Sequence, residues 1–359
     1  MAQPCSLAAF LQEPLPLLDV RSPAEFEQGH IPGAINLPLF SNAERAAVGT
    51  CYKQQGHHAA VDLGLTLAGP KLVQIVQQAR AIAPDHQVRL HCWRGGLRSS
   101  SVAWLLETAG FQVSLLEGGY KAFRRWAHQA LSEPRPLWIV GGMTGTGKTE
   151  TLLALRELGE SVIDLEGLAN HRGSSYGNLG LPPQPSTEHY ENLLAMQWSS
   201  LPGDRPVWIE AESFRVGTCR IPQELFRQME AAPVLELYRP LAERVTSLER
   251  LYGSADPGAL ISATQRIRKR LGGQRTQTAI EAIDRGDLKP AIEVVLDYYD
   301  RTYRYDLDRR SVPRTSVDVT GLTPQEAAVK LLDQAAIQTL PMVGGKRLQT
   351  QPCSLIEAT

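Results

Sequence analysis

His91-Cys92-Trp93-Arg94-Gly95-Gly96-Leu97-Arg98-Ser99 sets one sulfur nucleophile between an apolar strand and an amphipathic helix. Upstream, Gln87-Val88-Arg89-Leu90 has the make-up of a short strand. Downstream, Val102, Leu105, Leu106 and Ala109 recur at the i, i+3, i+4, i+7 spacing of one buried helical face. The nine residues therefore read as a strand-loop-helix turn, whose backbone N–H groups and helix N-terminus form a nest for an anion. Arg94 and Arg98 should place positive charge around Cys92 and favour its thiolate. Gly95 and Gly96 let the backbone close on whatever binds. A buried structural cysteine is the ordinary alternative, and the arginines and glycines argue against it. The Cys92-x5-Arg98 spacing suits a sulfur-transfer loop and equally a cysteine phosphatase cradle.

At 359 residues the chain is long enough for two domains with separate cores. Its net charge of −1 gives no global attraction to nucleic acid or membrane, so a nucleic-acid site must be a local patch. Cys5, Cys51, Cys92, Cys219 and Cys353 are scattered without a CxxC pair. That pattern argues against a disulfide framework or zinc knuckle and for a reducing compartment. The N-terminus lacks a basic leader and no apolar run approaches a membrane span, so a cytoplasmic, soluble protein with no membrane partner is expected.

Pro16-Leu17-Leu18-Asp19-Val20 reads as a buried strand, and Ser22-Pro23-Ala24-Glu25 as a helix start with capping-box spacing and proline at the first helical position. Gly29 stops that helix. Ile35-Asn36-Leu37 reads as a further strand, about Pro70 to Ala83 as a second helix, and Phe111-Gln112-Val113-Ser114-Leu115 as the strand after the cysteine helix. Strands alternating with helices predict a parallel α/β sheet, with its site at the strands' carboxyl ends. Gly49 to His58 is polar and reads as a surface loop, from which Cys51 could work beside Cys92.

Four stretches in order resemble a rhodanese domain over about residues 10–130: Leu18-Asp19-Val20-Arg21-Ser22-Pro23-Ala24-Glu25-Phe26, Gly29-His30-Ile31-Pro32-Gly33-Ala34, the Cys92 loop, and Leu116-Glu117-Gly118-Gly119-Tyr120. The resemblance implies a loop cysteine that carries sulfur as a persulfide. Arg98, after five intervening residues, marks a larger opening than in simple sulfurtransferases, wide enough for a tetrahedral oxyanion.

Ser132-Glu133-Pro134-Arg135-Pro136 is a proline-bearing linker. The expected organisation is a rhodanese-like domain over 1–131, the linker over 132–136, a P-loop domain with a helical C-terminal part over 137–340, and a flexible tail over 341–359. In the second domain the apolar Leu137-Trp138-Ile139-Val140 precedes Gly142-Met143-Thr144-Gly145-Thr146-Gly147-Lys148-Thr149, which fits G-x4-G-K-T and leads into a helix that Gly159 ends. A strand before and a helix after are the setting of a phosphate-binding loop. Gly142, Thr144, Gly145, Thr146, Gly147 and Lys148 would clasp adjoining phosphates, and Thr149 would reach a Mg²⁺.

Ser161 to Glu166 and Val207 to Glu212 read as strands that deliver carboxylates to the same edge, with Asp164 the preferred Mg²⁺ partner. A carboxylate at such a strand end is also common as a helix cap. Asn170, His171 and Arg172 crowd one loop and suit contacts to phosphate or base. From Glu243 to Asp308 the chain is helical and polar. Arg266, Arg268, Lys269 and Arg270, followed by Arg275, form its strongest basic cluster, and arginines and tyrosines interleave from Asp297 to Tyr305. Such residues can hold phosphates and stack on splayed RNA bases; a solvated helix face with tyrosines in the core is the alternative.

With Leu165-Glu166-Gly167-Leu168-Ala169-Asn170-His171-Arg172-Gly173-Ser174 and Glu212-Ser213-Phe214-Arg215-Val216-Gly217 added, about 330 residues resemble the bacterial tRNA 2-selenouridine synthases. That family implies exchange of sulfur for selenium in wobble 2-thiouridine of a tRNA anticodon loop, with selenophosphate as donor and a selenophosphate-producing enzyme as a partner. It further implies prior attachment of a geranyl group from geranyl diphosphate to the thiouridine sulfur, with Cys92 as selenium carrier or as the group that helps expel the geranyl thiol. An ATP-dependent enzyme, such as a kinase or an adenylating tRNA sulfurtransferase, and a cysteine phosphatase with a nucleotide-binding domain remain alternatives.

Overall fold

Short apolar strands alternate with helices from the N-terminus onward, and in the computed structural model they pair side by side in parallel. The structure describes residues 3–308, 312–339, 342–343 and 346–347. It divides into two compact units, Met1–Glu133 with Pro185–Ser199, and Pro134–Gln184 with Ser200–Thr359. The tail expected over 341–359 lies almost entirely outside the described residues.

The first unit runs β1 (Gln3–Cys5), α1 (Leu7–Gln12), β2 (Leu17–Asp19), α2 (Pro23–Gln28), β3 (Ala34–Asn36), α3 (Asn42–Gln55), α4 (His57–Ala68), α5 (Leu72–Ile82), β4 (Gln87–His91), α6 (Leu97–Thr108), β5 (Gln112–Leu116) and α7 (Gly119–Ser132). Its parallel sheet has the order β1-β5-β4-β2-β3, so the strand that ends at Cys92 is central. One sheet face packs Leu18, Val88 and Leu90 against Ile75, Ala79, Val102 and Leu106. The other packs Phe10, Leu17, Ile31, Tyr120 and Phe123 together. The expected capping box is present: Glu25 accepts the Ser22 backbone N–H at 3.1 Å.

Gly49 to His58 is not the loop that its polarity suggested. It is the end of α3 and the start of α4, parted at Gly56, whose φ is 88°. Cys51 is the one buried residue of α3, so the polar sequence reflects a helix lying on the surface. A second departure is the run His57–Ile82, which is long and apolar enough to cross a membrane by length and composition. In the fold it is α4, a single 3-10 turn over Gly69–Lys71, and α5, whose Ile75 and Ala79 are buried in the sheet core.

The second unit opens with β6 (Leu137–Gly142), α8 (Lys148–Glu157), β7 (Ser161–Ile163) and α9 (Leu165–Leu168). The chain then contributes α10 (Thr187–Ser200) to the first unit over 185–199 and returns. Next come β8 (Val207–Glu210), the short hairpin β9 (Arg215–Val216) and β10 (Cys219–Arg220), α11 (Gln223–Ala231) and β11 (Val234–Tyr238). The helical stretch is α12 (Leu241–Tyr252), α13 (Pro257–Arg266), α14 (Arg268–Leu271), α15 (Gly273–Asp284) and α16 (Leu288–Asp308), followed by β12 (Arg314–Asp318) and α17 (Pro324–Thr339). The order β12-β11-β6-β8-β7 again leaves the motif-bearing strand central. Trp138 and Trp208 sit in register on β6 and β8 with ring centroids 6.0 Å apart.

Candidate active sites: a cysteine loop and a phosphate loop

Cys92 leaves β4 only 3% exposed, held deeper than the lip of the nest. Its Sγ lies 3.1 Å from the Ser99 hydroxyl and 3.9 Å from the Gly96 carbonyl. The Ser99 hydroxyl, fully buried in the first turn of α6, also has the Gly96 carbonyl as an acceptor at 3.1 Å, so it donates to the sulfur only by turning away from that carbonyl. Nothing in its spacing singled it out. The loop closes against the Leu116–Gly119 turn: Tyr120 and Lys121 donate backbone N–H groups to the Cys92 and Trp93 carbonyls, each at 2.9 Å. Gly119 has φ +58°, and a Cβ there would come within 2.4 Å of the Cys92 carbonyl oxygen and 2.5 Å of the Gly95 nitrogen. Only glycine fits.

Arg98 does not turn into this nest. It donates to Glu25 at 2.7 and 3.3 Å, the same carboxylate that caps α2, and holds that carboxyl below its ordinary pKa against the opposing effect of burial. Arg94 is exposed on the loop. Positive charge at the cysteine is thus less direct than the two arginines suggested, and the Ser99 hydroxyl and the Gly96 carbonyl are what touch the sulfur. Beneath the loop, Asp19, Arg21 and His91 are all buried completely. The Arg21 guanidinium donates to Asp19 at 2.6 Å and to the Gly29 carbonyl at 2.7 Å, and lies 3.8 Å from the centre of the Tyr120 ring. His91 Nε2 is 3.7 Å from Asp19; burial lowers the imidazole pKa while Asp19 opposes the shift. The Tyr120 hydroxyl donates to Glu188 at 2.7 Å and accepts from Asn192 at 2.8 Å, both on α10.

In the second unit, Gly142–Thr149 joins β6 to α8 as the motif requires. Gly142, Gly145 and Gly147 have φ of 138°, 82° and 91°, and the Lys148 ammonium donates to the Gly142 carbonyl at 2.9 Å. Two braces arrive from the helical stretch. Arg244, buried on α12, donates to the Thr144 carbonyl at 2.8 Å and to Asp300 at 2.9 and 2.5 Å. The Tyr303 hydroxyl on α16 accepts the Gly142 N–H at 2.5 Å. Of the tyrosines read as base-stackers, Tyr298 and Tyr299 pack in the helical core, and Tyr299 accepts the Ser175 N–H at 3.0 Å; the Tyr305 side chain lies outside the described residues. Arg275 pairs with Asp297 at 2.6 Å, and Arg301 with the same carboxylate.

Glu166, not Asp164, is the carboxylate beside the motif threonine. The Thr149 hydroxyl donates to Glu166 at 3.0 Å, whereas Asp164 caps α9 through the Gly167 N–H at 2.7 Å. Glu166 in turn donates its backbone N–H to Glu210 at 2.8 Å. Burial raises the pKa of Glu166, and it raises that of Glu210 well above the ordinary range with Asp164 and Glu166 adding repulsion. Part of Glu212 is exposed as a residue, but its carboxyl is enclosed; burial and the neighbouring Glu166 charge push it up to about 8. Near neutrality the hydrogen-bonded Glu166–Glu212 pair therefore holds one proton.

A cavity of about 680 Å³ adjoins these carboxylates and includes His171, Gln184, Arg215 and Arg266 in its lining. The structure thus brings together His171 and Arg266, both singled out from sequence, with Arg215 of the Glu212–Gly217 stretch, a further candidate contact for tRNA. Asn170 and Arg172 are spent on the turn itself, donating to the Pro183 and Leu179 carbonyls at 3.1 and 2.8 Å. Arg268, Lys269 and Arg270 stay exposed on α14 and do not line the cavity. His171 is 8% exposed, and its Nδ1 has no hydrogen-bond partner among the described residues. Burial, followed by the Arg266 charge, lowers its pKa. Gly173 separates cavity from carboxylates: a Cβ there would fall 2.8 Å from Glu166 and 2.9 Å from Glu212.

A buried cysteine in a glycine-bearing loop on one parallel sheet, and a G-x4-G-K-T loop on another, are the frame of a two-domain α/β enzyme. Residues 4–125 match the rhodanese-like domain, and residues 135–321 match the AAA domain of tRNA 2-selenouridine synthase. Among curated relatives, the tRNA 2-selenouridine synthase of Marinobacter nauticus is 36% identical over 340 residues, 85% of this chain and 91% of the relative. Those of Shewanella sediminis and Pseudomonas syringae pv. tomato are 37% and 38% identical, covering 82% and 85% of this chain and 88% and 91% of their own. The chain belongs to the tRNA 2-selenouridine synthase family and is a transferase.

Proposed function

We propose that the chain converts wobble 2-thiouridine of tRNA to 2-selenouridine in two steps. In the first, the thiouridine sulfur is alkylated by geranyl diphosphate held at Gly142–Thr149. In the second, the selenium of selenophosphate bonds to C2 as the geranyl thiol leaves, and water takes the phosphoryl group from selenium as phosphate. The observation that carries the reading is the run of contacts from Thr149 of the phosphate loop to Glu166 and from the Glu166–Glu212 pair to Gly173, which lines the basic cavity. Lys148 stabilises the departing diphosphate. His171, Arg215 and Arg266 receive the anticodon nucleotide, and Arg268, Lys269 and Arg270 take flanking phosphates.

Thr149 and Glu166 are the residues that would hold Mg²⁺, which when bound supplies charge neutralisation on diphosphate. Their oxygen donors suit a hard cation, and the buried Glu210 Oε2, without a hydrogen-bond partner among the described residues, stands ready to orient a ligand water. Asp164, as a helix cap, is the weaker partner. Cys92 serves the second step as the nucleophile that helps expel the geranyl thiol. Taking selenium as a selenosulfide directly from selenophosphate would leave phosphite and calls for a further redox partner, so displacement is the simpler chemistry. A selenophosphate-producing enzyme supplies the donor, and the reaction takes place where tRNA is, in the cytoplasm.

A second reading, ATP-dependent transfer, is favoured by a cavity of about 730 Å³ beside Gly145 and Gly147 that includes Arg239 and Arg250. Nucleoside mass spectrometry of thiolated tRNA separates the two. With geranyl diphosphate alone and no nucleotide, S-geranyl-2-thiouridine should form, and adding selenophosphate should give 2-selenouridine. Cys92→Ala should stop at the geranyl nucleoside and Lys148→Ala should fail to make it. An absolute requirement for ATP would overturn the first reading.

A further inference from the structure

The helical part of the second unit encloses a cavity of about 60 Å³ whose walls include Tyr176, Leu248, Leu260, Ala291 and Val295. We infer that it is the seat for the hydrocarbon end of the diphosphate ester, an inference that rests on the prenyl-transfer reading above and adds where the chain lies and what limits its length. The walls are apolar in effect as well as in composition. The Tyr176 hydroxyl bonds Thr264 at 2.8 Å, the Tyr299 hydroxyl accepts the Ser175 N–H at 3.0 Å, and Tyr252 bonds Ser174, so all three present rings to the space. A water inside would find too few partners to settle there.

The polar groups at this cavity are Thr144 of the phosphate loop and Ser174 of the loop that also walls the basic cavity. A molecule that fills the space therefore has its polar end at the phosphates and its reacting carbon near Ser174, toward the place proposed for the nucleobase. On the scale where an apolar cavity of about 150 Å³ accepts benzene, this one holds about two or three carbon groups, the branched tip of a prenyl chain. Close-packed interiors seldom leave such a space, and Ala291, 5% exposed on α16, keeps this one open where a larger apolar residue would close it. On this assignment a ten-carbon chain, held by its diphosphate at the loop that Thr144 belongs to, seats its branched tip in the cavity; a five-carbon chain leaves it unfilled and a fifteen-carbon chain overfills it. In the step served, the thiouridine sulfur bonds to C1 of the chain as the C1–O bond breaks. Diphosphate leaves with the electron pair, and the base N3 proton passes to water.

The test uses the full chain, thiolated tRNA and the dimethylallyl, geranyl and farnesyl diphosphates, with inorganic diphosphate as the head-group control. Wild type should prefer geranyl. Ala291→Phe should weaken geranyl diphosphate binding by about tenfold or more, the scale of a filled apolar pocket, while inorganic diphosphate binds as before. Leu260→Ala, which enlarges the space, should shift the preference toward farnesyl and keeps the inference open to refutation if Ala291→Phe does not fold. If wild type alkylates tRNA but both variants keep its binding and chain-length preference, the cavity assignment falls alone. If wild type transfers no prenyl group, the prenyl-transfer reading falls and takes the assignment with it.

Discussion

Glu212 carries a consequence that can be read without substrate. Its carboxyl holds a proton up to about pH 8, whereas its ordinary value is 4.5. Across that window the folded chain binds more protons than the unfolded one, so this contribution is complete below about pH 4.5 and is lost as pH rises through about 8. Glu212→Gln keeps the shape and removes the titration. Thermal midpoints measured from pH 5 to 8.5 should fall less steeply with pH in that variant than in wild type; parallel slopes would mean that the Glu166–Glu212 proton is not where the stability lies. Glu210 also titrates high, so some slope should remain. Ser99 makes the complementary point at the cysteine: one buried hydroxyl 3.1 Å from sulfur stands where two arginines had been expected to act.

At the level of elements, the two loops were legible because each is a local pattern, a strand, glycines and a helix within a dozen or so residues. Their supports were not. Arg244 and Tyr303 reach the phosphate loop from about 100 and 160 positions away in sequence, and Glu188 and Asn192 reach Tyr120 across about 70. No periodicity announces such partners. Gly49 to His58 misled for the opposite reason, since an exposed helix and a loop share the same polar composition. The brace on the phosphate loop can be told apart from the binding residue by what each variant loses. Arg244→Met strands Asp300 and frees the Thr144 carbonyl, so it should cost about 3 kcal/mol of stability, as for other broken buried pairs, along with diphosphate affinity. Lys148→Ala should lose affinity alone. Urea unfolding paired with calorimetry of inorganic diphosphate reads both; equal stability of Arg244→Met and wild type would remove α12 as the support.

For the molecule as a whole, the chain's net charge of −1 offers tRNA no global attraction, which is why the proposed function rests on local arginines such as Arg215 and Arg266, and the cysteine and phosphate loops belong to separate sheets. Each unit has its own core, Leu18, Val88 and Leu90 with their neighbours in one, Val140, Leu152 and Leu235 with theirs in the other. A defect at Cys92 therefore need not disturb the phosphate loop, nor the reverse. It follows that two crippled chains should complete the work together. On the proposed sequence of steps, Cys92→Ala should accumulate geranylated tRNA, and Lys148→Ala should fail to make that tRNA while keeping the cysteine loop that consumes it. Neither alone should yield 2-selenouridine from thiolated tRNA, geranyl diphosphate and selenophosphate; their mixture should, after a lag set by release of the intermediate. If geranylated tRNA builds up in the mixture and no selenium enters, the cysteine and phosphate loops must act on a single bound tRNA within one chain, and the steps are not separable.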